Sequence, residues 1–404
     1  MKILFVNTKY NLGSTGKLTK NFMDFMKKNG HEVYCIYADG HSEGLDGELR
    51  VKSYLTRRIT VFLERLTGLV GYFSPIATLR AEKFIGAVKP DIIYLGNLHG
   101  YYINIYSLYK FIKKRNFACI QIMWDEFSLT GSCTFSFNCK KYETKCTNCP
   151  RLREYPASWL FDNSNWLFEK KKKSYEHNRL AFVSVPYTIS LAKKSLLLSN
   201  KSLYSIDEAI DQDKLFYPRD SSKLRDELGI PNNNKVILTV AVYPSERKGC
   251  KYFLELARRF ENDKTISFVH VGFLADKSEC PHNYIPLGFV NDQELLSTYY
   301  SLADLFVCTS FAETQPNTCL EALSCGTPIC GFNISGIPTC ASAPYGFYVE
   351  PKDVDALATI VNNMPKKTIE SIKKTREYAE SRFSSKDYNR RLLEVGLSLL
   401  NTRL

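Results

Sequence analysis

Short apolar runs alternate with amphipathic stretches along most of this chain. Lys2–Asn7 is such a run and reads as a strand. A glycine-bearing loop follows, Asn11-Leu12-Gly13-Ser14-Thr15-Gly16, and then a helical pattern that runs to Asn29 and stops at Gly30. Glu32–Tyr37 reads as the next strand. The second half repeats this order. Lys235–Val242 reads as a buried strand, and a loop with Pro244 leads to a helix from Cys250 to Phe260 and a strand at Ile266–Val271. Further strands are expected at Asp91–Leu95, Ala118–Met123, Ala181–Val185, Leu305–Cys308 and Pro328–Gly331. Apolar strands that alternate with helices imply parallel sheets, because helices then cover both faces. Two such series predict an α/β chain of two Rossmann-like, doubly wound domains. The polar, acidic stretch Tyr204–Pro218 is the expected connection, and Thr368–Leu400 reads as two helices broken near Ser384-Ser385. The expected organisation is thus 1–205, 206–375, and a terminal helical segment 376–404 that packs back on the first domain.

Composition narrows the class. With 404 residues, 44% of them apolar and 24% charged, the chain is too apolar for general disorder. Only 21 Gly and 16 Pro, with no sustained heptad, exclude fibrous repeats. No run of eighteen apolar residues predicts a spanning helix, and the first apolar run is too short for a signal peptide. A cytoplasmic protein is therefore expected, in which thirteen Cys are poor candidates for structural disulfides. Charge is divided unevenly. Met1–Leu203 has 31 Lys+Arg against 16 Asp+Glu, a balance of +15, and Tyr204–Leu404 has 23 against 26, a balance of −3. The basic half should attract an anion: nucleic acid, a phospholipid surface or a phosphate-bearing substrate. It carries no zinc-finger, RRM or helix-turn-helix pattern, so nucleic acid is not an expected partner.

The densest chemistry lies between Phe311 and Pro328. Pro316 and Asn317 suit a helix start, and Gly326 and Pro328 its end. Glu313 then sits in the loop before the helix, and Glu321 about one turn inside it. The backbone N–H groups at the helix start, around Asn317 and Thr318, suit an anion, and flanking carboxylates suit hydroxyls. The bland reading is a capped helix whose Glu residues complement its dipole. Arg247 and Lys248 lie at the next helix start, where cations are disfavoured by the dipole unless an anion binds between.

The Glu–seven residues–Glu spacing, followed by Ala322-Leu323-Ser324-Cys325-Gly326-Thr327-Pro328, closely resembles the retaining glycosyltransferases of family four. The resemblance extends to Gly30-His31-Glu32-Val33, to Gly288-Phe289-Val290, and to Tyr300 with Ala303-Asp304-Leu305-Phe306-Val307. Asn97-Leu98-His99-Gly100-Tyr101-Tyr102-Ile103-Asn104 and Phe127…Thr130-Gly131-Ser132-Cys133 resemble a bacterial surface-polysaccharide branch. It implies a GT-B fold whose two domains face a cleft, with a nucleotide-diphosphate sugar (UDP or GDP) as donor. The acceptor it implies is lipid-linked or an oligosaccharide. By resemblance Glu313 contacts the donor sugar, Glu321 the ribose, and Arg247 and Lys248 the diphosphate, so that no catalytic metal is needed. Gly13 and Gly16 would approach a phosphate or acceptor, and Gly288 and Phe289 would border the base, plain core being the alternative for Phe289. Two positions depart from the family. Trp124-Asp125 stands where relatives carry His-Asp, and Val242 where they carry an Arg. Asp125 and His99 would share the work of the missing His, unless Asp125 is a cap or a core-edge carboxylate.

Three features stand apart. Cys133, Cys139, Cys146 and Cys149 have a spacing that fits a closed structural zinc site, the alternative being scattered buried thiols. Ile59, Phe62, Leu63, Leu66, Leu69, Val70 and Phe73, with Arg57, Arg58, Arg65 and Arg80 around them, make either a membrane-surface helix or a core-packing one. The former would place the protein peripherally on an anionic inner membrane face. Lys170–Lys173 reads as a solvated face. The rival functional readings are a nucleotide-sugar epimerase or hydrolase on the same scaffold, and a non-enzymatic basic scaffold protein.

Overall fold

The computed structural model describes residues 1–40, 47–51, 54–241, 245–273, 278 and 280–401. Val242 and Pro244 lie outside the described residues. The chain divides into two compact units, Met1–Ile206 with Lys386–Leu404, and Asp207–Ser385.

The first unit holds seven strands: β1 (Lys2–Tyr10), β2 (Glu32–Gly40), β3 (Glu48–Arg50), β4 (Ile92–Leu95), β5 (Ala118–Ile122), β6 (Leu180–Ser184) and β7 (Ser202–Ser205). They form one parallel sheet of order β3-β2-β1-β4-β5-β6-β7. Its helices are α1 (Gly13–Lys28), α2 (Tyr54–Thr67), α3 (Pro75–Val88), α4 (Ile105–Lys114), α5 (Ser164–Ser174) and α6 (Pro186–Ala192). The second unit begins with α7 (Ser222–Glu227), β8 (Lys235–Val240), α8 (Cys250–Arg259), β9 (Ile266–Val271), β10 (Tyr284–Gly288) and α9 (Gln293–Leu302). It continues with β11 (Leu305–Cys308), α10 (Asn317–Ser324), β12 (Ile329–Phe332), β13 (Gly346–Val349), α11 (Val354–Asn363) and α12 (Ile369–Phe383). Its sheet order is β10-β9-β8-β11-β12-β13, also parallel. The last helix, α13 (Ser385–Asn401), returns to the first unit.

Central strands such as Ile92–Leu95, Leu180–Ser184 and Ile266–Val271 are buried at every position. Helices cover both faces, so no polar alternation is needed. In each unit the strand order reverses once, between β1 and β4 and between β8 and β11. Ligands bind in the crevice that such a reversal opens beyond the carboxyl ends of the strands.

Several expectations shift. The unit boundary falls after Ile206, but the chain crosses back at Lys386 rather than at residue 376. The reason is α12, whose Thr375, Ala379 and Phe383 are buried and whose Arg376 donates to the Phe216, Ser324 and Gln212 carbonyls. Only α13 packs on the first unit, where the Tyr94 hydroxyl donates to the Leu392 carbonyl at 3.2 Å. A side chain at Gly396 would collide with that hydroxyl. Gly16 is not in a loop: β1 extends to Tyr10, α1 begins at Gly13, and Gly16 is buried in its first turn. The Gly16 carbonyl accepts from the Asn11 amide at 3.0 Å, which closes the turn. Lys170–Lys173 is not uniformly solvated either. Lys171 is 1% exposed, and its Nζ donates to the Phe127 and Thr130 carbonyls at 2.5 and 3.1 Å. Burial lowers its pKa to about 7. The edge strands β3, β7, β10 and β13 escape sequence reasoning, being short or only half-buried.

Candidate active site

In the second unit the loops after β8 and β11, on either side of the reversal, carry the cations and the carboxylate. Ser245 accepts from the Lys248 amide and starts a single turn at Glu246–Lys248. That turn ends at Gly249, which has φ 62° and where a side chain would collide with the Thr309 carbonyl. The turn brings Arg247 and Lys248 to Glu313. Lys248 Nζ lies 2.7 Å and Arg247 Nη1 3.0 Å from Glu313 Oε1. Arg247 Nη1 also donates to the Ala312 carbonyl at 2.7 Å, and the Arg247 carbonyl accepts from the Phe311 amide at 2.7 Å. Burial pushes the Glu313 carboxyl up, but Lys248 and Arg247 outweigh it and hold its pKa below the ordinary carboxylate value. Glu313 is thus a largely buried carboxylate, its side chain 12% exposed, that stays ionised between two cations.

The Glu313 backbone is held as firmly. Its amide donates to Ser335 Oγ at 3.1 Å, and its carbonyl accepts from the Gly336 amide at 2.8 Å. Helix α10 follows directly. Its N-cap is Pro316, which supplies no side-chain acceptor to the first turn that contains Asn317 and Thr318. Glu321, one turn on, accepts from the Tyr300 hydroxyl at 2.7 Å. Glu313, Arg247, Lys248, Asn317, Thr318 and Glu321 therefore share one end of the second sheet.

Gly288 ends β10 with φ 78°, and its carbonyl accepts from the Gly272 amide at 2.8 Å. Phe289 is 49% exposed, so it is not core. Its ring stacks on that of Phe273, with centroids 5.8 Å apart and planes 11° apart. Phe273 was not expected from the sequence, since it follows a different strand. Gln315 was missed as well. Its Oε1 accepts from the Glu208 amide at 2.7 Å and its Nε2 donates to Asp207 Oδ1 at 2.8 Å. This ties the loop of Glu313 to the residues that open the second unit. No local pattern announces a partner more than a hundred residues away.

In the first unit the loops after β4 and β5 bring His99 and Asp125 together, with Nε2 and Oδ2 3.3 Å apart. Asp125 Oδ1 also accepts from the Phe127 amide at 2.9 Å, so one carboxylate both caps a turn and faces the imidazole. Burial lowers the His99 pKa, Asp125 opposes that, and Lys171 adds to it. Gly13, with φ 63°, opens α1 beside Lys9. Trp124, where the family places His, stacks on Phe5 with centroids 6.3 Å apart.

The zinc site expected at Cys133, Cys139, Cys146 and Cys149 is not preassembled among the described residues. Among the described residues no group of three or more His, Cys, Asp or Glu is arranged to hold a metal ion. Each cysteine is fixed by a different local bond. The Cys133 carbonyl accepts from Thr130 Oγ1, the Cys139 amide donates to Ser136, Cys146 Sγ accepts from the Gly131 amide, and the Cys149 amide donates to Asp162. Burial raises Cys133 to about 12 and Cys146 to about 11, and neighbouring thiols raise them further, Cys149 at both and Cys139 at Cys146. Among the described residues no helix is long and apolar enough to cross a membrane.

Residues 220–382 match the family model "Glycosyl transferases group 1". The chain is 24% identical over 248 residues to the putative colanic acid biosynthesis glycosyl transferase WcaC of Escherichia coli K12. That alignment covers 59% of each protein, so the chain spans about three-fifths of this relative's length. Among solved structures, sucrose-phosphate synthase from Thermosynechococcus elongatus superposes with a TM-score of 0.69 at 16% identity, over 100% of both chains. HepE from Anabaena, in complex with UDP, gives 0.65 at 15% identity, over 98% of this chain and 100% of that one. The second unit thus matches the group 1 glycosyl transferase family over residues 220–382, and the chain shares the GT-B fold of these solved structures.

Proposed function

We propose that the protein is a retaining glycosyltransferase of surface polysaccharide biosynthesis. It moves a hexose from a nucleotide-diphosphate sugar to a lipid-linked or oligosaccharide acceptor. The observation that carries this reading is Glu313 held between Lys248 and Arg247 beside the start of α10. A diphosphate placed there meets two cations and an uncapped helix N-terminus, which stabilise the charge that develops as the nucleotide departs. Glu313 then contacts the sugar hydroxyls, and Glu321, oriented by Tyr300, the ribose. The Phe273–Phe289 stack offers the base an exposed aromatic face at Gly288. The UDP complex of HepE makes UDP the first nucleotide to test.

A carboxylate committed to two cations is a poor nucleophile, so retention follows from attack on the face that the leaving group vacates. The acceptor oxygen bonds to the anomeric carbon as the bond to the β-phosphate oxygen breaks. The acceptor proton passes to that phosphate oxygen, and the electron pair leaves with the nucleoside diphosphate. No metal is required for this step. The first unit is assigned the acceptor, with the His99–Asp125 pair and Gly13 as its candidate residues. The protein works peripherally on the inner membrane face. In support, Ile59 and Phe62 are 52% and 53% exposed on the helix that bears Arg57 and Arg58.

Calorimetry with UDP and GDP tests the donor site. Saturable binding of one of them, weakened about tenfold by Lys248→Gln, is expected, and absence of binding to both would remove the donor site. Proton NMR of the anomeric signal of the transferred sugar tests retention, and an inverted product would refute it.

A further inference from the structure

The first unit contains a cavity of about 210 Å³ between α2 and α3 that the reading above does not use. It is larger than the ~150 Å³ apolar cavity known to take up benzene. Leu63, Phe73 and Tyr102 line it, and Ile59 and Ile76 line it from positions 52% and 69% exposed. Its interior therefore continues onto an apolar surface.

Among the described residues, the charged groups that line it are of one sign. Arg57 and Arg80 are its charged members, and no carboxylate is among the lining residues. Arg57 has a partner, Asp39 Oδ2 at 3.3 Å from its Nη1, and Arg80 is exposed, with Nη2 3.4 Å from the Arg50 carbonyl. Thr60 and Ser74 satisfy one another at 2.9 Å. Tyr101 is different. It is 6% exposed, its hydroxyl makes no regular hydrogen bond among the described residues although the Arg65 side chain is near it, and its backbone is held at φ 61°. A bulky residue in that conformation is uncommon, and a buried hydroxyl is normally paired. Beside it, burial raises the Glu64 carboxyl to about 8, so Glu64 is neutral at pH 7 and does not repel an anion there. An apolar hole with two guanidinium groups and one unsatisfied hydroxyl matches an amphiphile with a phosphate head.

We propose that this cavity binds the first carbons of the chain of a lipid phosphate, with the phosphate on Arg57, Arg80 and the Tyr101 hydroxyl. The proposal rests on the reading of the first unit as the acceptor side and names the part of a lipid-linked acceptor that it holds. The test is calorimetry of the full chain with farnesyl phosphate below its micellar concentration, farnesol, inorganic phosphate and UDP as separate probes. Farnesyl phosphate should bind one per chain, at least tenfold tighter than farnesol or phosphate. Leu63→Trp should fill the cavity and weaken it tenfold or more. Arg57→Gln with Arg80→Gln should reduce it to the affinity of farnesol. UDP affinity should stay within twofold of the parent in every variant. If Leu63→Trp disturbs folding, the exposed Ile76→Asp should give the same loss. Unchanged affinity in these variants, phosphate binding as tight as farnesyl phosphate, or no saturable binding while UDP still binds would each overturn the proposal. Binding of farnesyl phosphate without UDP or GDP would uphold the cavity and overturn the donor site instead.

Discussion

At Glu313 two opposing effects meet, and their magnitudes decide its role. Burial favours the neutral acid, but two cations within 3.0 Å favour the carboxylate more. Glu321 has one neutral donor, the Tyr300 hydroxyl, among its hydrogen bonds. Replacement by Gln should therefore separate them. In the proposed donor site, Glu313→Gln removes the charge nearest the transferred sugar and frees both cations for phosphate. Turnover should fall about 100-fold while affinity for the nucleoside diphosphate holds or rises. In the same proposed site, Glu321→Gln loses a charge-assisted hydrogen bond to ribose, which contributes ~1.5–3 kcal/mol, so nucleotide affinity should drop about ten- to a hundredfold. Calorimetry beside initial rates reads both. The reverse assignment would follow if Glu313→Gln lost nucleotide affinity and Glu321→Gln kept it.

At the scale of elements, the loop between β11 and α10 is as important as either carboxylate. It is fixed from three directions: Arg247 on the Ala312 carbonyl, Ser335 and Gly336 on the Glu313 backbone, and Gln315 on Asp207 and Glu208. Gly336 allows this because its missing side chain lets the Thr314 carbonyl approach, and a Cβ there would collide with that atom. Gly336→Ala should thus push the loop away and misplace Glu313. The expected cost is ~1–3 kcal/mol of stability, with a larger proportional loss of rate, since small misplacements of a catalytic group are amplified. Thermal denaturation and initial rates check this, and a variant with parental rate would show that the loop tolerates the shift. The α2 stripe shows why helical spacing alone is ambiguous. The helix ends at Thr67, and of the residues beyond it Val70 is buried, while Ile59 and Phe62 face outward. Vesicle flotation should show binding to anionic but not neutral liposomes, released at high salt and reduced by Ile59→Ser with Phe62→Ser. Equal binding to both kinds of vesicle would remove the electrostatic account.

Across the whole molecule, buried ionisable groups give stability a particular pH dependence. Burial raises Glu64 to about 8 and Glu126 and Glu208 to about 7. For each, the folded chain keeps a proton that the unfolded chain releases above its ordinary pKa. Their stabilising contribution is full below about pH 4.5 and is lost as pH rises through 7 to 8, by up to ~1.4 kcal/mol per pH unit and group. Lys171 has the opposite sign. Its lowered value means that stability is lost as pH falls from about 10 to 7. The thermal midpoint should therefore be higher near pH 5.5 than at pH 7.5. Glu64→Gln should raise it at pH 7.5, by the equivalent of ~1–3 kcal/mol, and less at pH 5.5. Calorimetric scans at both values decide, and equal shifts at the two would rule out Glu64 as the source.

The sequence alone determined the layered α/β plan, since runs such as Ile266–Val271 and Leu305–Cys308 are apolar throughout and bounded by helices. It also determined the start of α10 at Asn317, its end before Gly326, and the carboxylates before and within it, because capping and turn chemistry are local. The pairing of Glu313 with Arg247 and Lys248 was legible only as a shared role, because 65 residues separate Glu313 from Lys248 and only the reversal between β8 and β11 joins them. His99 meets Asp125 because the neighbouring parallel strands β4 and β5 end side by side in the other sheet. Tertiary structure alone decided the rest. It buried Lys171 within a run of lysines, placed Phe289 on the surface against Phe273, and kept α12 in the second unit. Each of these depends on which distant backbone or ring a side chain meets. Spacing along the chain fixes the face on which a residue stands, but only packing fixes what stands opposite it.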